Sequence, residues 1–182
     1  MKKTTEQYDA VMKKCSTLFL KKNKDYGTSW RIMRPSSLTD QMFIKAKRIR
    51  SIEEKGTQMV ADAISGEYIA LINYGLLAII QLTLSQDAPL EMKAEAVEKL
   101  YQKYAAATRT LMLQKNHDYG EAWREMRISS ITDLMLTKLL RIKQIEDNKG
   151  QTIASEGLES NYMDIINYAA FVLIRLSEKT SG

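Results

Sequence analysis

The 182-residue chain has little of several residue types, and each scarcity excludes a class of structure. It holds one cysteine, Cys15, and one histidine, His117. Neither a disulfide within the chain nor a multi-histidine metal site can therefore form. Prolines occur only at Pro35 and Pro89, and glycine is scarce. Few helix breakers beside abundant Leu, Ile, Ala, Lys and Glu favour helices over sheets.

The chain also lacks long apolar runs. No stretch reaches about 18 uninterrupted apolar residues, and the first residues contain no apolar signal core. We therefore expect a soluble, cytoplasmic protein that does not enter a membrane. The net charge of +5 permits an anionic ligand such as a nucleotide, phosphate or nucleic acid. Because the cations are dispersed among acids, solvated helix faces are the alternative explanation.

What the chain does have is an internal duplication. Residues 23–31 (NKDYGTSWR) recur as residues 116–124 (NHDYGEAWR), an offset of 116 − 23 = 93. After an insertion near Asn148 the offset becomes 94. Further polar positions obey these offsets: Tyr8 and Tyr101, Lys22 and Lys115, Thr39 and Thr132, Lys45 and Lys138, Arg48 and Arg141, Glu53 and Glu146, and Asn73 and Asn167. We define repeat 1 as residues 1–87 and repeat 2 as residues 88–182.

Each repeat is predicted to form three helices. From apolar periodicity and capping residues, the helices cover about residues 6–24, 39–55 and 60–84 in repeat 1, and about 90–116, 132–148 and 156–178 in repeat 2. Gly27 and Gly120 suit left-handed caps after the first helices, and Thr39 and Thr132 are predicted to cap the second ones. At the junction, Asp87 is the predicted cap, with a proline in the first turn that follows.

Three such helices would leave apolar surface exposed in each repeat. The third helices are apolar on nearly all sides, so we expect them to be the most buried. The predicted fold is all-α: two tandem three-helix repeats packed about a pseudo-two-fold axis into one helical bundle, with a cleft along the axis. Association into homo-oligomers is left open.

Polar residues kept in both repeats are candidate ligand-binding residues. The Asp-Tyr-Gly turn could hold a phosphate or a base edge, or it could cap a helix and fill the core. The Lys-x-x-Arg pair could clamp phosphate oxygens or pair with nearby acids. The helical Asn could contact a ligand or fix helix register. The candidates are Lys115, Asp118, Tyr119, Arg124, Lys138, Arg141 and Asn167, with the repeat 1 counterparts Lys22, Asp25, Tyr26, Arg31, Lys45, Arg48 and Asn73.

Acids that repeat 1 lacks are candidate metal ligands. They are Glu121, Glu125, Glu159 and Asp164, opposite Thr28, Ile32, Ser65 and Ala70. A carboxylate on a buried helix costs several kcal/mol unless it is paired or metal-bound. Oxygen ligands without histidine suit Mg²⁺, which could activate water for attack on a phosphoanhydride. The alternative is that Asp164 pairs with Lys138, Arg141 or Arg124. Any chemistry is therefore predicted in repeat 2.

The shared motifs resemble a known family. The Lys-Asn-x-Asp-Tyr-Gly-x-x-Trp-Arg turn, then Ser-Ser-x-Thr-Asp, Lys-x-x-Arg-Ile and Asn-Tyr, resembles the nucleotide modification associated domain 1 family, formerly a domain of unknown function. The resemblance covers nearly the whole chain, once per repeat. It implies a link to nucleotide or modified-base metabolism and identifies no catalytic residue.

A looser likeness is to the all-α nucleotide pyrophosphatases of the MazG type. Those enzymes use Glu-rich helices and a Glu-x-x-Asp pair to bind Mg²⁺ and cleave nucleoside triphosphates to monophosphates. Residues 161–168 (NYMDIINY) are similar to the helix that bears this pair. Here the pair is split, with Asn161 and Asp164 in repeat 2, and Glu67 and Ala70 in repeat 1.

These observations lead to one principal prediction and two alternatives. The chain is expected to bind a nucleotide or another phosphate-bearing small molecule, and any catalysis would be Mg²⁺-dependent pyrophosphohydrolysis. The first alternative is a non-enzymatic helical regulatory or assembly module, which would expose an apolar patch. Nucleic-acid binding is the weakest, because acids are mixed among the cations.

Overall fold

The computed structural model describes residues 2–57, 64–85, 87–151 and 156–180. Within these residues it contains six α-helices and no strand. The helices are α1 (Lys2–Tyr26), α2 (Pro35–Lys55), α3 (Ile64–Thr83), α4 (Ala94–Tyr119), α5 (Ile128–Asp147) and α6 (Leu158–Thr180). Short 3-10 turns, Ser29–Ile32 and Ala122–Arg124, follow α1 and α4. The predicted all-α fold with three helices per repeat is confirmed.

The first helix of each repeat ends as the sequence predicts. Gly27 and Gly120 both have φ +61°, the left-handed region that glycine adopts without steric cost. The amide of Gly27 donates to the carbonyl of Asn23 at 2.9 Å, and that of Gly120 to Asn116 at 3.0 Å. These caps turn the chain sharply and direct each 3-10 turn back toward its own repeat.

The second helix of each repeat begins about one turn earlier than predicted. α2 begins at Pro35 and α5 at Ile128, so the predicted caps Thr39 and Thr132 lie inside helices. Proline at the first helical position needs no amide partner and already has helical φ, which explains the early start of α2. Both threonines are fully buried, and their hydroxyls face the other repeat.

The junction between the repeats also differs from the prediction. α4 begins at Ala94, so Asp87 does not cap it and Pro89 lies outside its first turn. The segment between α3 and α4 is hydrogen-bonded to repeat 1 instead. The Thr28 hydroxyl donates to the carbonyl of Leu90 at 2.6 Å.

The third helices form the centre of the body, where α3 packs against α6, and α2 packs against α5 beside them. At the α3–α6 contact, a Cβ atom added to Gly75 would lie 2.8 Å from Cγ1 of Ile166, so the two helices approach too closely for a larger residue. Among the described helices, α3 alone is long and apolar enough to span a membrane. Its apolar side chains are mostly buried against the other helices.

Reciprocal hydrogen bonds join the two repeats. The Tyr8 hydroxyl of repeat 1 donates to Oδ1 of Asn167 in repeat 2 at 2.7 Å. The Tyr101 hydroxyl of repeat 2 donates to Oδ1 of Asn73 in repeat 1 at 2.8 Å. Because each bond is the repeat-exchanged copy of the other, the repeats are related by a pseudo-two-fold axis. The helical asparagines therefore fix helix register, the structural alternative considered for them.

A second reciprocal pair lies between α2 and α5. The Thr39 hydroxyl donates to Glu146 at 2.8 Å, and the Thr132 hydroxyl donates to Glu53 at 2.8 Å. Burial raises the pKa of Glu146 and that of Glu53, and the threonine hydrogen bonds oppose that rise. Many of the polar residues that occur in both repeats therefore form the hydrogen bonds that join the two repeats.

Candidate functional site

A pocket of about 280 Å³ opens in repeat 1. It lies between the end of α1, the start of α3, the middle of α2 and the 3-10 turn. The aromatic rings of Phe19, Trp30 and Tyr74 contribute to its walls, and so do Lys22 and Lys45. The pocket therefore combines apolar, aromatic and cationic surface, the mixture expected of a small-molecule site.

The Asp-Tyr-Gly turn builds one side of this pocket. The left-handed cap at Gly27 brings the 3-10 turn back beside the last turn of α1, so Trp30 and Asn23 line the same space. The Asn23 side chain is only 9% exposed, and its Oδ1 atom is buried without a hydrogen-bond partner among the described residues. A buried amide oxygen ordinarily has a donor. The wall of the pocket therefore contains an acceptor that no described residue fills.

The cations of repeat 1 are unequally neutralised. Glu67 is 4% exposed and accepts a hydrogen bond from Arg48, while Lys45 Nζ lies 3.4 Å from its Oε2 atom. The predicted Lys-x-x-Arg pair thus binds an acid of α3. Lys22 forms no ion pair with any residue that the structure describes. Two ammonium groups therefore line the pocket. That of Lys22 is unpaired among the described residues, and that of Lys45 lies 3.4 Å from Glu67.

In repeat 2 an aspartate stands between the equivalent lysines. Asp164 is 4% exposed, and its carboxylate lies 2.5 Å from Lys115 Nζ and 2.7 Å from Lys138 Nζ. Burial disfavours the charge on Lys115, but the hydrogen bond and the charge of Asp164 outweigh this, and its pKa is raised. Asp164 thus pairs with Lys138, one of the three partners that the sequence offered as the alternative to a metal.

The buried acid of the third helix therefore lies about one helical turn further along the helix in repeat 2 than in repeat 1. Glu67 corresponds to Asn161, and Ala70 corresponds to Asp164, three residues further along the third helix. Each acid engages the Lys45 or Lys138 position but a different second cation. Among the described residues of repeat 1, Lys22 is left without an ion pair.

An aromatic difference accompanies the charge difference. In repeat 2 the ring of Phe171 stacks on Trp123, with centroids 4.2 Å apart and planes 4° apart. Trp123 is 6% exposed. Repeat 1 has Leu77 at the position of Phe171, and Trp30 is only half-buried. The space open beside Trp30 in repeat 1 is therefore occupied by a side chain in repeat 2.

The predicted magnesium ligands do not come together. The described residues contain no group of three or more acids, histidines or cysteines that could hold a metal ion. Glu121 pairs with Arg124, which also reaches Glu178, and Glu178 lies fourteen residues beyond Asp164, about 21 Å along α6. Glu125 and Glu159 are exposed. Asp164, held by two lysines, is a poor ligand for a dication because its charge is already compensated.

Several predicted ligand-binding residues have structural roles instead. Arg31 donates to Gln81 and to the carbonyl of Ala88. Arg124 lies over the Trp123 ring at 4.4 Å and donates to Thr4 at 2.7 Å. The remaining predicted positions outside the pocket are buried Asn167, half-buried Arg48 on Glu67, and exposed Asp25, Asp118, Tyr119 and Arg141.

Four predicted residues of repeat 1 do line the pocket: Lys22, Lys45, Asn73 and, at its rim, Tyr26, which is 73% exposed. Sequence reasoning missed Ala70 and Leu77, because it searched for acids gained rather than for space left by small side chains. The signal in the sequence was that these two positions correspond to the larger residues Asp164 and Phe171 in repeat 2.

Comparison with known proteins places the chain in a family. The nucleotide modification associated domain 1 family matches residues 22–82 and 115–176, two segments that together cover more than half of the chain. The first segment begins at Lys22 and the second at Lys115, which reproduces the offset of the internal repeat. No curated protein and no solved structure shows significant similarity, and the likeness to MazG-type pyrophosphatases gains no support from these comparisons. The chain therefore belongs to the nucleotide modification associated domain 1 family and contains two tandem copies of its domain.

Proposed function

We propose that this protein binds a single nucleotide in the repeat 1 pocket and acts in nucleotide or modified-base metabolism. The observation that carries the proposal is a pocket lined by Lys22 and Asn23. Among the described residues, the Lys22 ammonium forms no ion pair and the Asn23 Oδ1 atom has no hydrogen-bond partner. A phosphate or other acidic group satisfies the lysine. A base amino group or a sugar hydroxyl satisfies the amide oxygen.

The size and the walls of the pocket support a small aromatic ligand. Its volume of about 280 Å³ lies just below the range of typical small-molecule sites, roughly 300–1,000 Å³. It therefore suits one mononucleotide rather than a dinucleotide. Half-buried Trp30 and Tyr74 line the pocket, and every nucleobase has a flat face that stacks on such rings.

The charges around the pocket favour binding without hydrolysis. Metal-assisted cleavage of a phosphoanhydride needs carboxylates that are free to hold the metal beside the phosphates. The buried acid nearest this place, Glu67, is neutralised by Arg48 and Lys45. The position of Asp164 is an alanine in repeat 1. We therefore place the ligand site in repeat 1, not in repeat 2 as the added acids had suggested.

A calorimetric titration tests this proposal. Nucleosides and their mono-, di- and triphosphates, with standard and modified bases, are titrated with and without Mg²⁺, and pyrophosphate release is measured in parallel. We expect at least one nucleotide to bind without release of pyrophosphate. Lys22→Ala should weaken that binding at least tenfold, since a charge-assisted hydrogen bond contributes roughly 1.5–3 kcal/mol and about 1.4 kcal/mol is a factor of ten.

The matched control is Lys24→Ala, which removes an exposed lysine of the same helix end that does not line the pocket. It should leave the affinity unchanged. Failure of every nucleotide to bind would favour the regulatory or assembly module. Release of pyrophosphate would instead establish a hydrolase.

A further inference from the structure

We infer that Asp164 and Phe171 occupy in repeat 2 the positions that the acidic group and the ring of the ligand occupy in repeat 1. Repeat 2 is then a second copy of the binding pocket, closed by its own side chains. This inference rests on the proposed function and narrows it. The ligand is a planar ring that carries one acidic group at a short distance, which among nucleotides means a nucleoside monophosphate.

The walls around the two positions are the same in both repeats. Lys22 and Lys45 of repeat 1 correspond to Lys115 and Lys138, and Trp30 corresponds to Trp123. In repeat 2 both lysines point their ammonium groups at one carboxylate. In repeat 1 the corresponding lysines, Lys22 and Lys45, line a pocket beside Ala70. The methyl side chain of Ala70 carries no acidic group that could pair with them. An anion placed there completes the arrangement that repeat 2 completes internally.

The positive charge of the lysines in the pocket determines how much negative charge a ligand can carry. Lys22 is uncommitted, and Lys45 lies 3.4 Å from Glu67, so the pocket supplies between one and two positive charges. One phosphate or carboxylate matches this supply. A triphosphate would bring excess negative charge next to the buried carboxylate of Glu67, which costs binding energy unless a metal accompanies it.

The ring position follows from the aromatic stack. Phe171 covers one face of Trp123, whereas in repeat 1 Trp30 and the smaller Leu77 both line the open pocket. Asp164 and Phe171 are seven residues apart, so they lie on one face of α6, about 10.5 Å apart along its axis. Both side chains extend from the helix toward the pocket walls. A ring joined to a phosphate through a sugar spans a gap of this kind.

The first experiment closes the repeat 1 pocket with a carboxylate. Ala70→Asp copies the arrangement of repeat 2, and Ala70→Asn is the neutral control of the same size. The four common nucleoside 5′-monophosphates and their nucleosides are titrated into each variant. Ala70→Asp should weaken monophosphate binding at least tenfold more than Ala70→Asn does, and should reduce it to the level of the nucleoside. Equal losses in both variants would mean simple steric blockage and would overturn the inference.

The second experiment opens repeat 2. In the Asp164→Ala/Phe171→Leu double variant, the monophosphate that binds the wild-type chain should bind at two sites per chain instead of one. An unchanged stoichiometry in a variant with a normal helical spectrum would contradict the closed-pocket assignment. If the double variant does not fold, the Ala70 variants decide, because that position lines an open pocket and tolerates a larger side chain.

The two proposals can fail separately. If the wild-type chain binds no nucleotide, the proposed function is wrong, and the anion position is judged by NMR titration of the carboxyl group introduced in Ala70→Asp. The pKa of this carboxyl should rise when Lys22→Ala is added, which would show that Lys22 lies close to an acid at this position. A carboxyl pKa that Lys22→Ala leaves unchanged overturns the inference whether or not nucleotides bind.

Discussion

The tyrosine–asparagine hydrogen bonds between the repeats are equal in geometry but unequal in surroundings. The Tyr8 hydroxyl donates to Asn167, and the Tyr101 hydroxyl donates to Asn73, at 2.7 and 2.8 Å. Tyr8→Phe and Tyr101→Phe each remove one of these bonds and nothing else of size. We predict that Tyr8→Phe is the more destabilising of the two.

The magnitude depends on whether water can replace the lost donor. Asn167 is buried on all sides, so in Tyr8→Phe its Oδ1 atom loses its donor in the core, which costs about 1–3 kcal/mol. Asn73 is half-buried and lines the repeat 1 pocket. Water entering the pocket can hydrogen-bond to its Oδ1 atom, so Tyr101→Phe should cost only about 0.5–1.5 kcal/mol.

Urea denaturation followed by circular dichroism measures both values, since the midpoint shifts at constant slope if only stability changes. Because Tyr8 and Tyr101 line the same surface cavity, the double variant measures how strongly the two bonds are coupled. A loss in Tyr101→Phe equal to or larger than that in Tyr8→Phe would refute the view that the repeats differ in solvent access at this point.

Two further predictions concern the packing and the charges between the repeats. Gly75→Val places methyl groups against Ile166, where even a Cβ atom would lie at 2.8 Å. Overpacking should lower the free energy of unfolding by about 1–3 kcal/mol, measured by thermal melting. The control is Gly66→Val on the same helix, which has open space around it and should cost nothing in the same melt. Burial raises the pKa of Glu146, so its contribution to stability is complete below the unfolded pKa of about 4.3 and is lost as pH rises through the folded value. Glu146→Gln keeps an acceptor for Thr39 and should therefore gain stability relative to wild type as pH rises above 4.3; a difference that shrinks with pH would contradict this sign.

The sequence allowed the helices and their pairing to be predicted because those depend on local rules. The two Asp-Tyr-Gly segments specify a helix followed by a left-handed glycine, and the structure has both. The apolar third helices are buried, as their composition requires. The threonine caps were wrong because a capping threonine and a buried threonine that bonds across an interface look alike in sequence.

The site was harder to predict because it depends on which side chains are missing. Sequence comparison of the repeats identified Asp164 as an acid needing a partner, and the structure supplies two lysines. It did not show that the smaller Ala70 and Leu77 leave a space in repeat 1, because an empty volume is a property of packing in three dimensions. Asp164, one of the acids that suggested chemistry in repeat 2, is one of the two side chains that fill the corresponding space there.

The most direct test of the open repeat 1 pocket observes the four lysines themselves. In ¹H–¹⁵N correlation spectra of the lysine ammonium groups, assigned with single Lys→Arg variants, nucleoside 5′-monophosphates are added stepwise. We predict that the signals of Lys22 and Lys45 shift in a saturable way while those of Lys115 and Lys138 stay in place, because Asp164 already holds them. Shifts at Lys115 and Lys138 with Lys22 unaffected would contradict the account.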